Sequence, residues 1–463
     1  AGGGRRGGGA AGGRGGSPAP AVGLVVEQVH LTPGASGAEV TAQFVVKHQP
    51  PGVVGEGFCD YCSGDRCLHS GSPGQPVARS RASWSTYASG GFQGSIYTVN
   101  MRKLSERTYY SYRCGVYPAN LTQDEPMALS EIYSFRTAPP SRPWETPDVV
   151  RAVTWGDMGA PGQGTKWMGM DSQETIDALE ADVLAGGYEL AINVGDSSYA
   201  DDYSSGNSWV EDKWYNAMQG IMANAPTAVV VGNHEAQYDF APHLHRTSMP
   251  VRGKGDLKRF YSSLNWGPLH IVAFSSEHPY DEGSEQHEFV VNDLLRVDRS
   301  LTPFVIVVAH RPMYCSSGIF SLPGFFTHRC IKEAPLLRKP FEKVFKETGV
   351  DLFLSGHNHQ FERSHPMYKG KAVTRGERRG SKTVYRNPGA PIYIVNGAAG
   401  NREGNDPTWL PEWLVKWRAS HSAHFHIGYG RIQATRSRLD WEYIDATSGT
   451  VTDSFTLVRG NEP

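Results

Sequence analysis

Six short apolar runs set the strongest limit on how this chain folds: DVVRAVTW (148–155), ELAINV (189–194), TAVVV (227–231), LHIVAF (269–274), PFVIVVA (303–309) and VDLFLS (350–355). Each is rich in β-branched residues and nearly continuous, the pattern of strands buried on both faces. Helical periodicity fills the gaps. In SQETIDALEADVL (172–184), Ile176, Leu179 and Val183 share a face, and Asp171 with Glu174 predicts a capping-type start. Buried strands alternating with amphipathic helices imply an α/β domain, with mixed sheets flanked by helices.

Polar residues follow five of these runs: Gly156-Asp157, Gly195-Asp196-Ser197-Ser198-Tyr199, Gly232-Asn233-His234-Glu235, His310, and Gly356-His357-Asn358-His359. Open α/β sheets bind ligands at the carboxyl ends of their strands, so five separated segments are expected to meet in one crevice. A preceding glycine permits a sharp exit from the strand. Each fragment alone says little, because an Asp at a strand end is commonly a helix N-cap. Together they supply two carboxylates, a carboxamide, three imidazoles and a phenol, which is the donor chemistry of a metal centre. His357 and His359 stand at i and i+2, and an extended chain would turn both rings to one side.

Ahead of this domain, AEVTAQFVV (38–46), GSIYTVNM (94–101), RTYYSYRCGVY (107–117) and EIYSFRT (131–137) alternate with Gly, Pro and Ser. That spacing predicts an all-β sandwich of fibronectin type III shape over 23–138. TAPPSRPWETPD carries four prolines and marks a linker at 139–148. The α/β domain is placed at 149–400, with 401–463 as a β-rich extension completing it. His421, His424 and His426 are assigned to that extension, outside the metal set, since HFHIGYGRIQATRSRLDWEYID alternates as strands do.

With 45 Lys and Arg against 47 Asp and Glu, the net charge of -2 gives no general attraction to nucleic acid or anionic membranes. No apolar run reaches the roughly 18 residues of a membrane-spanning helix. The first 22 residues, lacking Met and an apolar leader core, read as a disordered Gly/Arg-rich tail, consistent with a processed precursor. Six cysteines and the sequon Asn120-Leu121-Thr122 lean toward a secreted or vacuolar glycoprotein. Cys59, Cys62, Cys67 and Cys114 are expected to form two disulfides, a four-thiolate zinc site being the alternative, and Cys315 could pair with Cys330.

GDMG (156–159), GDSSY (195–199), GNHE (232–235), VVAH (307–310) and GHNH (356–359) resemble the five ordered motifs of the purple acid phosphatases, within the calcineurin-like metallophosphoesterases. AFSSEHPYDEGSEQ (273–286), AHRPMYCS (309–316), VNGAAGNREG (395–404) and HFHIGYGRI (424–432) extend the resemblance to the larger plant and animal members. It implies the metallophosphoesterase sandwich and a binuclear centre. Asp157, Asp196, Tyr199 and His359 would hold Fe(III); Asp196, Asn233, His310 and His357 would hold a divalent Zn, Fe or Mn ion; Asp196 would bridge. Tyr199 is the discriminating residue, since a phenolate suits a hard ferric ion and related diesterases and protein phosphatases generally lack it. His234 matches the family's outer-sphere catalytic histidine.

The resemblance further implies an acid phosphatase that cleaves phosphate monoesters with metal-bound hydroxide and releases inorganic phosphate. The chain departs from some plant members at Ile319 and Phe320, where those carry two histidines, which leaves the leaving-group acid unassigned; His278 and His328 are read as ordinary loop histidines. Two other readings remain: a phosphodiesterase or phytase-like enzyme on the same metals, and a binding protein with a vestigial site.

Overall fold

The computed structural model describes residues 24–47, 55–64, 67–68, 76–117, 128–140, 149–163, 170–251, 257, 259–318, 332–423 and 425–460. The tail at 1–22, Asn120, most of the linker, Ile319, Phe320, His328, Cys330 and His424 lie outside them.

The apolar runs become strands as their β-branched composition predicts, and their alternation sorts side chains between two cores. Among the described residues, one sheet runs Thr227–Val229, Leu190–Asn193, Val150–Trp155, Gly428–Ala434, Arg438–Asp445, Val451–Val458, Lys382–Arg386, Glu377–Arg379. The second runs Ser262–Trp266, Leu269–Ala273, Phe304–Val308, Leu352–Ser355, Ile392–Asn396, Phe361–Ser364, Arg418–His421. The first three strands of one and the central four of the other are parallel, and antiparallel strands extend both sheets, except that Lys382–Arg386 joins Val451–Val458 in parallel.

The sheets face one another. Ala152, Ile192, Ile306, Leu354, Ile394, Ile432 and Trp441 fill the space between them. The alternate residues Val153, Trp155 and Ala191 point outward, onto Ile176, Leu179 and Val183 of the helix Gln173–Gly186 and Trp214 and Met218 of Ser208–Met222. On the other side Val305, Val307 and Phe353 meet Val290 of Glu285–Leu294 and Leu337, Phe341 and Phe345 of Ala334–Glu347. The layers are therefore helix, sheet, sheet, helix, the mixed-sheet architecture expected.

Two details differ from expectation. Asp171 Oδ1 accepts the Gln173 N–H at 2.9 Å, but Glu174 does not reach back to complete a capping box; its carboxylate accepts from Thr447 Oγ1 at 2.6 Å. The strand Leu352–Ser355 ends before the two histidines, which sit on bends, so His357 and His359 do not share a face by extended-chain alternation.

In front, the strands Val25–Pro33, Val40–Lys47, Ser95–Met101 and Ser83–Ser85 form one antiparallel sheet, and Ala78–Arg81, Glu56–Ser63, Tyr109–Tyr117 and Ala128–Leu129 a second, with Tyr133–Arg136 also paired to Tyr109–Tyr117. Val29, Leu31, Phe44, Tyr97 and Tyr112 pack between the sheets. Cys59 and Cys114 are opposite one another in neighbouring strands and are disulfide-bonded, as are Cys62 and Cys67. The expectation of disulfides over a zinc site is met. Cys315 is disulfide-bonded too. This sandwich docks on the α/β unit through the helix Ser208–Met222: the Val29 N–H donates to Gln219 Oε1 at 2.8 Å, and buried Arg246 donates to both Gln28 and Asp212.

Candidate metal centre

The parallel strands deliver their polar successors to one end of the two sheets, as the sequence pattern requires. Asp157, Asp196, Tyr199, His310, His357 and His359 are all buried, and Asn233 and His234 are partly so. Asp157, Asp196, Tyr199 and His357 all take left-handed backbone conformations, with φ of 54°, 53°, 58° and 68°. Non-glycine residues rarely do so, and such strain clusters where side-chain direction matters more than backbone comfort.

Gly356, expected to allow the chain to turn, has a different task. His357 itself carries the positive φ, while a Cβ on Gly356 would fall 2.1 Å from Asp157 Oδ2. The glycine makes room for the carboxylate. Gly232 does the same for Asp196, whose Oδ1 lies 2.2 Å from where its Cβ would be.

The side chains gather into two groups. Tyr199 Oη stands 3.0 Å from His359 Nε2 and donates to Asp157 Oδ1 at 3.3 Å, and His359 Nε2 is 3.5 Å from Asp157 Oδ1. Beside them, single donor atoms of Asp196, His310 and His357 lie within 4.8 Å of one another. Asp196 Oδ2, Asn233 Oδ1, His310 Nε2 and His357 Nδ1 are each buried with no hydrogen-bond partner. His310 Nε2 and Asp196 Oδ2 are only 3.0 Å apart yet are not aligned on each other. An orphaned buried polar atom costs about 1–3 kcal/mol. The clustered carboxylate and two imidazoles, together with the orphaned Asn233 carboxamide beside His234, fit a borderline divalent cation, and the phenol, carboxylate and imidazole group fits a harder ion.

The electrostatics agree with that fit. Burial, with the neighbouring Asp196, holds Asp157 well above the usual carboxylate range against the opposing pull of His310, His234 and the His357 N–H; burial, Asp157 and Asp196 push Tyr199 well above 10. Burial opposes charge on His310, but Asp196 and Asp157 outweigh it and raise the ring to about 10. Such mutual frustration among crowded acids is what bound cations relieve.

His234 sits at the rim. Its backbone N–H donates to Asp196 Oδ1 at 2.9 Å, its Nδ1 is 2.7 Å from Asp201 Oδ1, and its ring lies 4.0 Å from that of Tyr199. Its Nε2, 3.9 Å from Asp196 Oδ2, faces the cluster. The histidines read as bystanders are occupied elsewhere: His278 stacks on Phe260 with ring centroids 4.0 Å apart, His421 lies against Trp409, and His426 pairs with Asp445.

Several supporting residues were not singled out from sequence. The Glu235 carboxylate accepts three backbone N–H groups, from Asp196, Ser197 and Gly232, at 2.9, 2.7 and 2.7 Å, and so fixes two strand exits to each other. Asn401 Nδ2 donates to the Asp157 carbonyl at 2.9 Å. Arg311, next to His310, is clamped between Glu277 and Glu333. Position inside the motifs GNHE, VNGAAGNREG and AHRPMYCS was the only local signal for Glu235, Asn401 and Arg311.

Residues 156–361 match the family described as calcineurin-like phosphoesterase, and residues 390–454 that described as iron/zinc purple acid phosphatase-like protein C. Acid phosphatase type 7 of Homo sapiens is 30% identical over 378 residues, covering 79% of this chain and 77% of the relative. The chain belongs to the purple acid phosphatase family. Another relative, purple acid phosphatase 15 of Arabidopsis thaliana, is 28% identical over 354 residues, 70% of this chain and 58% of its own length. The structure of a purple acid phosphatase from yellow lupin (Lupinus luteus) seeds superposes with a TM-score of 0.77 at 22% identity, over 95% of this chain and 75% of that one, and shares its fold. As a purple acid phosphatase the protein is a hydrolase of phosphate esters, and membership implies a binuclear metal centre containing iron. No helix among the described residues is long and apolar enough to cross a membrane.

Proposed function

We propose that this protein is an acid phosphomonoesterase whose centre pairs Fe(III), held by Asp157, Tyr199, His359 and bridging Asp196, with a divalent Zn, Fe or Mn ion, held by Asp196, Asn233, His310 and His357. The observation that carries this reading is the set of four buried, unpartnered donor atoms, one from each divalent-site residue. Held there, the two cations would supply an acidified water and charge neutralisation for the phosphoryl group.

The chain's own residues supply the rest. His310 Nδ1 and His359 Nδ1 lie 2.9 and 3.0 Å from the carbonyls of Val194 and Gly404, which keeps the proton on Nδ1 and aims each Nε2 inward. His234 Nδ1 donates to Asp201, and although burial opposes charge on the ring, Asp196 and Asp201 outweigh it and raise the pKa to about 9, so the protonated ring presents a second N–H, on Nε2, to a phosphate oxygen or to the departing alkoxide at the rim. Asn233 adds a neutral oxygen donor and leaves the site less anionic toward a phosphate dianion. The disulfides support an oxidising compartment, secreted or vacuolar.

The test is metal analysis combined with a substrate panel. Purified protein should contain one iron and one divalent ion per chain and hydrolyse aryl and alkyl phosphate monoesters well ahead of diesters. Chelation should abolish turnover, and readdition should restore it. A preference for diesters would move the reading to a phosphodiesterase; full metal loading without hydrolysis would point to a binding protein.

A further inference from the structure

The three imidazoles of the centre are oriented in two different ways. His310 and His359 rest their Nδ1 atoms on backbone carbonyls and offer Nε2. His357 is reversed: its Nδ1 is the buried atom without a partner, and its Nε2 stands 2.9 Å from Glu333 Oε2. A neutral imidazole carries one proton, and a carboxylate only accepts, so the hydrogen bond to Glu333 requires that proton on Nε2. The Nδ1 lone pair is then free to face Asp196 and His310. Arg311 Nη1 also lies 3.2 Å from Nε2, but a guanidinium has no acceptor and cannot bond an N–H; its own hydrogen goes to Glu333 Oε2 at 2.6 Å.

Glu333 is thus a side chain where its two counterparts are backbone. It precedes the helix Ala334–Glu347 and is 35% exposed, and Arg311, itself held by Glu277, steadies it. Without an acceptor at that point, the Arg311 N–H 3.2 Å from Nε2 would favour the Nδ1–H tautomer, which would turn a proton, not a lone pair, toward Asp196.

We infer that Glu333 is a positioning residue that selects the His357 tautomer, and that it thereby controls retention of the divalent ion while leaving iron untouched. This rests on the ligand assignment proposed above. Outer-shell partners of ligating histidines are typically worth about 10–100-fold in metal affinity.

The experiment follows metal release from the purified holoprotein. Wild type, Glu333→Ala, Glu333→Leu, Glu333→Gln and His310→Ala are incubated with a divalent-ion chelator, and iron and the divalent metal are measured over time by elemental analysis. Glu333→Ala and Glu333→Leu should lose the divalent ion about 10-fold faster or more with iron retained. Glu333→Gln, which keeps a carbonyl acceptor for Nε2–H, should stay near wild type. Release at the wild-type rate from both Ala and Leu variants would overturn the inference, as would equally fast loss of both metals from all three Glu333 variants, which would mean general loosening. His310→Ala separates the two claims: if it too keeps the divalent ion, the ligand assignment itself fails, whereas loss there with retention in Glu333→Ala sinks only the role of Glu333.

Discussion

Gly356 and Asp157, 199 positions apart in sequence, compete for one space: a methyl on the glycine would sit 2.1 Å from Asp157 Oδ2, while the next residue's N–H donates to that same carboxylate at 2.9 Å. A small residue is needed for the carboxylate to enter at all. Gly356→Ala must displace either the strand exit or Asp157, at a cost of about 1–3 kcal/mol typical of overpacking. Denaturant unfolding and iron content check this together. Wild-type stability with full iron would show that the contact is not binding.

Tyr199 is buried beside Asp157 and His359. If its phenolate is a ferric ligand, the oxidised protein should be violet through phenolate-to-iron charge transfer, and Tyr199→Phe should lose that visible band while the far-UV spectrum stays native. Iron-replete, active and colourless wild-type protein would remove Tyr199 from the ligand set.

Two neighbours, Glu235 and His234, should fail in opposite ways. Glu235→Ala orphans three backbone N–H groups, each worth about 1–3 kcal/mol when buried, so the unfolding midpoint should fall markedly. His234→Ala removes a rim side chain, so both metals and the midpoint should persist while kcat drops by about 100-fold. Melting curves and steady-state kinetics on the two variants read the contrast. Loss of metal in His234→Ala would make it a ligand instead.

His243 gives a pH-dependent cost. Burial, with help from Arg259 and His278, holds its pKa down to about 3, and its ring stacks with Phe260. The folded protein therefore keeps it neutral where the unfolded chain, near 6.5, takes up a proton. Stability is full above pH 6.5 and is lost as pH falls, by about 2 kcal/mol between pH 6.5 and 5 from this group alone. His243→Gln should flatten that part of the stability profile. An unchanged slope in urea titrations at the two pH values would show that His243 is not the group responsible.

The sequence by itself determined which residues would be available and at what depth. Continuous β-branched runs such as PFVIVVA (303–309) are strands because of local sterics and burial, and a polar residue just past each run must emerge at a strand's carboxyl end. Asp157, Asp196, Asn233, His310 and His357 were therefore legible as one crevice. The alternation in HFHIGYGRIQATRSRLDWEYID likewise marked strands, which the structure has at Gly428–Ala434 and Arg438–Asp445.

Only the tertiary structure decided how the side chains are aimed. No local pattern says that Gly428–Ala434 pairs with Val150–Trp155, that Glu235 ties Gly232 to Asp196, or that His357 turns Nδ1 inward because Glu333 takes its Nε2–H. The left-handed φ at His357 likewise replaced the extended geometry that an HxH spacing suggests. The physical reason is common to all of these. Strand formation depends on neighbours a few residues away, whereas a tautomer, a close approach or an orphaned donor is fixed by groups brought together from distant parts of the chain.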